Sequence, residues 1–506
     1  MALNIDVQGL SPRKISQIAH DFTPVDIAPD AAAAIAASYM CLQEHGAKGQ
    51  AIYGVSTGLG AAVDTAMKLR TGSAQHLIPR ARAVGVGRIA TECETRAMIA
   101  VRLSRVCGGH SGMSYPVAAA LVDMLNHSIV PQVPMLGSVG EADLAPMAHI
   151  AEVLTGGGTV MRPDGSLTDG RTAFAAAGLE LPDFGVKDGL SLVSSNSAAL
   201  GLAALAIGDV QRVFAAQVAA VALSYEGFRA SIAPLAPAAT ALRPAPYQGV
   251  IAGALLSLFD GGGLMDPKAP RRLQDPLSLR CVSSVFGAVQ GAICHARDAV
   301  ALELASSDDN PAVDTTLDLV LPNGNFDPTH VALAFDTLAL ALARLAAMTG
   351  ERIMKMMSAE MTGLPRFMAP DSGGSNGFAT VQKTVSALVA TLGQQAMPMP
   401  FAALPVADRV EDYASLLMPG IEKFSTMVEN LRYLVGIELM VAAQAVDLRQ
   451  GITLGQGTAA IQQGVRAHVT PLTQDRATSP DIYALAAAIQ QQGLGPIFKD
   501  LEEQLA

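Results

Sequence analysis

A handful of polar residues stand where neither capping nor solvation explains them. Glu141 lies in Gly137-Ser-Val-Gly140-Glu-Ala-Asp143, a run whose glycines free the backbone for a tight loop with positive φ. The residues that follow read as an apolar helix from Leu144 to Leu154, with Asp143 as N-cap and Pro146 in the first turn. Capping therefore accounts for Asp143 but leaves Glu141 without a structural task. Arg280 is the one formal charge between Pro276 and His295, and its planar fork suits a bidentate grip on a carboxylate. Lys383 is the one charge between Asp371 and Asp408, where a surface helix would normally carry more; it is either a site lysine or one that snorkels. Tyr53 sits among the glycines of Tyr53-Gly-Val-Ser-Thr-Gly-Leu-Gly60, as a packing ring or a functional phenol. Glu411 is either a partner of Arg409 on a solvated loop or a carboxylate turned inward. Carboxylates and a phenol are residue types that suit proton transfer.

The elements that must hold these groups are helical. The chain has 506 residues, half of them hydrophobic, with no Trp and few aromatics, which favours closely packed helices over a sandwich or barrel. Long helical patterns run over 198–223, 277–306, 329–357 and 420–448, and a smaller helical cap follows Gly451. Residues 11–48 hold two helices, and the glycines of 156–170 mark a turn-rich surface insert. The expected organisation is an N-terminal loop-bearing part over 1–200, a central long-helix bundle over 201–450 and a cap over 451–506. The apolar run 331–348 is interrupted by Asp336 and Arg344, so it reads as a bundle helix and no membrane span is expected. A net charge of −11 without a basic run argues against nucleic acid as a partner. The five cysteines are dispersed and the first residues show no secretory pattern, so a reduced, cytoplasmic protein is expected. No His-x-x-x-His pair occurs among the nine histidines, and no metal is expected.

Seven motifs in one order resemble the aromatic amino acid ammonia-lyases and related aminomutases, from about Tyr53 to Ser415. Gly137-Ser-Val-Gly140 and Asp143-Leu-Ala-Pro146 flank the place where that family carries Ala-Ser-Gly, the tripeptide that cyclises to an electrophilic methylidene-imidazolone. The resemblance implies an all-α fold, a long-helix bundle of the histidine ammonia-lyase and fumarase-like type with a smaller mixed N-terminal part. It also implies a homotetramer whose sites draw on several chains, acting on a small molecule. Tyr53 falls on the family's catalytic base, Arg280 in Gln274-Asp-Pro-Leu-Ser-Leu-Arg280 on its carboxylate clamp, and Glu411 on its site glutamate. A phenol ionises near pH 10 in water, so the base role asks for a cationic neighbour. Asp309-Asn310-Pro311 matches a family turn, with Asn310 a substrate-binding or supporting position. Lys383 stands in the stretch after Gly377-Phe378, and position 379, which matches a site methionine, is expected one turn earlier on the same helical face.

The departures matter as much as the matches. Only Glu141-Ala142 separates Gly140 from Asp143, so the loop has no serine from which to build the dehydroalanine half of the electrophile. The other Ser-Gly pairs, Ser111-Gly112 and Ser372-Gly373, lack the preceding Ala, so no cofactor is expected. The family's pocket Ser-His becomes Ala81-Arg82, its substrate-binding Asn becomes Ser194 with Asn196 nearby, a tyrosine becomes Leu277 and a histidine becomes Tyr413. The electrophile exists to turn an amine into a better leaving group. A chain that keeps base, clamp and glutamate without it either takes a substrate that already carries a good leaving group or no longer catalyses. A quaternary ammonium meets the first condition, because it departs as neutral trimethylamine, and a histidine-derived betaine with polar demands around its ring would explain Arg82, Glu141 and Lys383. An ammonia-lyase acting on a histidine-like amino acid and a non-catalytic binding relative are the alternatives.

Overall fold

The computed structural model describes residues 2–65, 72–370, 374–399 and 403–506; Asp371 and the Ser372-Gly373 pair lie outside them. Helices dominate, as expected, and every sheet among the described residues is small: one parallel pair joining Leu3–Ile5 to Val25–Ile27, and antiparallel sheets of two or three short strands. The helix forecast from the core loop runs Leu144–Leu154. The patterns read over 198–223, 329–357 and 420–448 become Ser197–Phe228, Thr329–Met356 and Leu417–Leu448. The stretch read as one helix over 277–306 is two, Leu277–Arg280 and Val282–Leu304.

The chain groups into two compact units, neither contiguous in sequence. One comprises Met1–Gly208, Arg297–Leu333 and Pro398–Glu422, the other Asp209–Ala296, Ala334–Met397 and Lys423–Ala506. This grouping differs from the expected segments 1–200, 201–450 and 451–506, and four of its five boundaries fall inside the long helices.

The first unit holds all the short strands and is built on the buried helix Glu92–Cys107. That helix starts with a reciprocal cap: the Thr91 hydroxyl accepts from Glu94 N at 3.3 Å, and the Glu94 carboxylate accepts from Thr91 N at 2.7 Å. Gly201 lets the start of Ser197–Phe228 approach it backbone to backbone, since a Cβ there would lie 2.8 Å from Met98 N. Three of its residues, Arg96, Arg102 and Arg105, are nonetheless buried. Buried cations need partners, and Arg102 pairs with Asp309 at 2.9 Å, while Arg105 pairs with Glu303 at 2.8 Å and also with Asp308.

In the second unit, Arg352 and Glu438 form a buried bidentate pair, 2.7 Å and 2.9 Å. Gln217 and Ser224 donate to the same carboxylate. The helix forecast at 331–348 is part of one of two stretches among the described residues, Asp188–Phe228 and Thr329–Met356, that are long and apolar enough to cross a membrane. The most apolar window of the first is 94% buried within the chain, as a core helix would be; that of the second is 44% buried.

Candidate active site

The loop around Glu141 is held by a second loop from far along the chain. Leu416 N donates to Val139 O at 2.8 Å, and the Ser415 hydroxyl donates to Gly140 O at 3.0 Å. Gly140 has φ +90°, and a Cβ on it would lie 2.3 Å from Ser415 Oγ. Glycine is thus required there twice, by conformation and by space. Ala142 also takes a left-handed conformation, φ +68°, at a buried non-glycine position that its residue type does not betray.

Asp143 corrects one expectation. It flanks Leu144–Leu154 but makes no side-chain cap there. Its fully buried carboxylate instead accepts from Ala199 N at 2.7 Å and from the Ser138 hydroxyl at 2.6 Å. It therefore serves the first turn of Ser197–Phe228, whose exposed N–H groups attract an anion. Burial pushes its pKa up to about 6 against those bonds.

Glu141 is half-buried beside three more carboxylates. Burial first, then Glu411, Asp412 and Asp327, push its pKa up to about 7. A like charge at close range disfavours a second ionisation, so near neutrality Glu141 exists in both protonation states. Glu411 is fixed by a short backbone bridge, its carbonyl accepting from Val406 N at 2.9 Å. Ala407, Asp408 and Arg409, inside that bridge, all have positive φ, between +50° and +70°. Such strain persists where surrounding contacts enforce it.

The Tyr53 loop meets the same segment. The Tyr53 hydroxyl accepts from Gly60 N at 3.0 Å, and a Cβ on Gly60 would sit 3.4 Å from Ala407 Cβ. Gln75 ties this loop to the element that ends at Ser194. Its side chain donates to Gly54 O and Val186 O and accepts from Leu190 N in the short helix Asp188–Val193. Ser194, half-buried, closes that helix. The next residue, Ser195, accepts from Asp143 N at 2.9 Å through its carbonyl and donates to Asp308 Oδ2 at 2.7 Å through its hydroxyl. Asp308 leads directly into Asn310, whose side chain accepts from Asn323 N at 3.1 Å. Tyr53, Glu141, Ser194, Asn310 and Glu411 are therefore carried by one connected set of loops in the first unit. Asn196, noted as near the pocket, is buried and spends its amide on Arg105 and Phe326 O, so it belongs to the ion-pair network.

The remaining candidates lie as follows. Arg82 is half-buried and donates to Ile78 O at 3.4 Å. The loop that bears it is pinned where Gly85 N donates to His149 Nε2 at 3.2 Å, and burial lowers the His149 pKa, keeping that acceptor neutral. Tyr413 is exposed and shares a 2.7 Å hydrogen bond with Thr329. In the second unit, Arg280 is half-buried and donates to Gln274. Its short helix is fastened by Tyr225, donating to Leu279 O at 2.6 Å, and by Arg352, donating to Ser278 O at 3.0 Å. Lys383 is exposed in the first turn of Val381–Gln395. Ala379, expected on the same helix as Lys383, instead lies in the turn that precedes it. Sequence reasoning missed Gln75, Ser415 and His149 as positioning residues, although Ser415 ends the matched motifs and His149 lies in the helix forecast over Leu144–Leu154.

The residues at the core loop do not fit the prosthetic group that the motifs imply. Glu141 and Ala142 supply no hydroxyl to lose, and Ser138 is held by Asp143. Ser111 is buried, with its carbonyl bound by Lys187 Nζ at 2.6 Å.

Residues 10–467 match the sequence profile of the family described as aromatic amino acid lyase. The histidine ammonia-lyase of Streptomyces avermitilis is 33% identical over 498 residues, 97% of each chain. Among solved structures, an ergothioneine-degrading ergothionase from Treponema denticola, in complex with desmethyl-ergothioneine sulfonic acid, superposes with a TM-score of 0.92 at 29% identity. That match covers 98% of this chain and 99% of the other. Histidine ammonia-lyase from Trypanosoma cruzi gives 0.91 at 25% identity, covering 100% and 97%. The chain belongs to the aromatic amino acid lyase family, and its fold is that of these lyases.

Proposed function

We propose that this member of the family is a carbon–nitrogen lyase that works without methylidene-imidazolone and eliminates trimethylamine from a histidine-derived betaine, best met by ergothioneine, giving thiourocanate. The observation that carries the reading is Glu141: a carboxyl group stands where the family's electrophile is built, and burial, followed by the charge of Glu411, pushes its pKa up to about 7. A cationic substrate supplies the leaving group that the electrophile would otherwise have to make, and a carboxyl group that is still partly protonated near neutrality can serve its ring.

In this mechanism Tyr53 removes a Cβ proton and the C–N bond breaks, its electron pair leaving with trimethylamine as the double bond forms. Protonated Glu141 donates to the thioimidazole while electron density moves into the ring, and Glu411 holds the ring from the neighbouring loop. A carboxylic acid kept neutral at pH 7 by its surroundings is a known device for this purpose. Arg280 clamps the substrate carboxylate, Lys383 supplies a cation for the tyrosine or the sulfur, and Arg82, Ser194 and Asn310 line the pocket. The parts given to Arg280 and Lys383 rest on the motif resemblance.

The family resemblance also leads us to propose a homotetramer. Leu333 and Leu340 of Thr329–Met356 are 59% and 49% exposed in the single chain, which is apolar surface that association would cover. A monomer by light scattering at micromolar concentration would remove this part of the reading.

The deciding experiment incubates purified protein with ergothioneine, hercynine and histidine while assaying trimethylamine, ammonia and new ultraviolet absorbance. Trimethylamine from ergothioneine, with no ammonia from histidine, is the expected outcome. Ammonia from histidine would instead favour the activity named for the Streptomyces relative.

A further inference from the structure

Away from the loops that carry Glu141 and Glu411, one cluster of ligating side chains is assembled from two distant stretches of the first unit. Cys41 and His45 are four residues apart on the helix Pro29–Ala47, so both face the same way. Asp318 comes from the turn joining the strands Ala312–Asp314 and Leu319–Leu321. His45 Nε2 lies 3.1 Å and Cys41 Sγ 3.5 Å from the same Asp318 oxygen, and the three ligand atoms all fall within 4.8 Å of one another.

We propose that Cys41, His45 and Asp318 form a mononuclear zinc site, apart from the lyase chemistry. Zinc sits about 2.3 Å from sulfur and about 2.0 Å from nitrogen or oxygen, so the edges of a tetrahedral site are roughly 3.3–3.5 Å. The His45–Asp318 and Cys41–Asp318 separations, 3.1 Å and 3.5 Å, already approach those edges. One thiolate, one imidazole and one carboxylate form a donor set suited to zinc or cobalt rather than to magnesium or calcium. The other imidazole nitrogen, Nδ1, lies 2.5 Å from Gln50 Oε1. That bond keeps a proton on Nδ1, so Nε2, which faces the Asp318 oxygen, is the nitrogen that would give up its proton to take the ion, with Gln50 as the supporting partner. Three protein ligands leave the fourth position to water.

Binding releases the Cys41 thiol proton, because the thiolate is the ligand. The site braces more than itself. Cys41 packs in a small apolar cluster with Leu42, Ile52, Val55, Val313 and Val320. Ile52 and Val55 flank Tyr53, and the strand bearing Val313 follows Asn310. A bound ion therefore ties the Pro29–Ala47 helix to the hairpin beside both loops. The expectation against a metal rested on a missing His-x-x-x-His; this helix carries Cys-x-x-x-His, and its third ligand lies 273 residues from His45.

The test titrates chelator-treated, reduced full-length protein with cobalt(II). The expected result is one ion per chain, a thiolate-to-cobalt charge-transfer band in the near ultraviolet and displacement by zinc. Cys41→Ser should abolish the band. Asp318→Asn, in an exposed turn where folding is not at stake, should weaken binding by at least ~10-fold, and His45→Gln likewise. Cys93→Ser should change nothing, which separates this site from the exposed Cys93–His20 contact. Absence of the band in the folded wild-type protein, a band surviving Cys41→Ser, or unchanged affinity in Asp318→Asn would each overturn the proposal. None of these readouts depends on lyase activity.

Discussion

Replacing Glu141 by Gln should raise stability and lower activity, and the two effects should respond differently to pH. The group holds its proton up to about 7 in the folded chain, against an ordinary 4.5. Between those values the folded state binds more protons than the unfolded one, so stability falls as pH rises through the window, the reverse of the usual carboxylate. At about 1.36 kcal/mol per pH unit, the displacement corresponds to a ceiling of ~3.4 kcal/mol at pH 8. Glu141 is only half-buried, and solvent screening reduces this to ~1 kcal/mol. Gln cannot ionise, so Glu141→Gln should be more stable than the parent by that amount at pH 8 and nearly equal at pH 5. With an unfolding entropy near 2.1 cal/mol/K per residue, ~1 kcal/mol moves the Tm of a chain this long by about 1 °C, within reach of scanning calorimetry. The activity should go the other way. Loss of a proton-donating group costs roughly 10²–10⁴-fold, so kcat/KM on the quaternary substrate should drop by at least 10². In the parent, kcat/KM should fall as pH rises through about 7; in the variant it should not. A Glu141→Gln protein with the parent's kcat/KM, or with a Tm lowered equally at pH 5 and pH 8, would refute the reasoning and leave the glutamate as filler for the shortened loop.

Tyr53→Phe should abolish turnover by 10² or more while substrate Kd, measured by calorimetry, stays within a few-fold. It also removes the acceptor for Gly60 N, at about 1 kcal/mol of stability. Gly140→Ala should destabilise the chain by roughly 2–4 kcal/mol, from an unfavourable φ and a Cβ 2.3 Å from Ser415 Oγ, and activity should fall with the fraction folded; an unchanged denaturant midpoint would contradict the loop geometry. Arg352→Met leaves Glu438 buried without its cation and should cost about 3–5 kcal/mol in urea unfolding. Glu438→Gln in the same background should recover part of that loss.

The helices were legible in the sequence because helix formation is local. Periodic apolar positions and small residues announced Leu144–Leu154 and the long helices within a few residues of their ends, although the stretch read over 277–306 breaks at Cys281 into two. Motif order likewise gave the family, and the two residues between Gly140 and Asp143 already showed that this loop lacks the serine from which the family builds its electrophile. What the sequence could not rank was the partners of each polar group, since those come from segments tens to hundreds of positions away. Asp143 looked like the cap of its own helix, yet tertiary packing sends its carboxylate to Ala199, because the adjoining helix presents unpaired N–H groups to it. Glu141 read as an odd carboxylate in a glycine loop. Only the folded chain sets Glu411, Asp412 and Asp327 beside it and so raises its pKa, an effect of burial and like charge that no neighbour in sequence predicts. The same holds for Cys41, His45 and Asp318: the spacing of the first two is a property of one helix, while the third ligand is delivered by a hairpin. Local propensity decides where helices begin and end, and long-range packing decides which charges must live together.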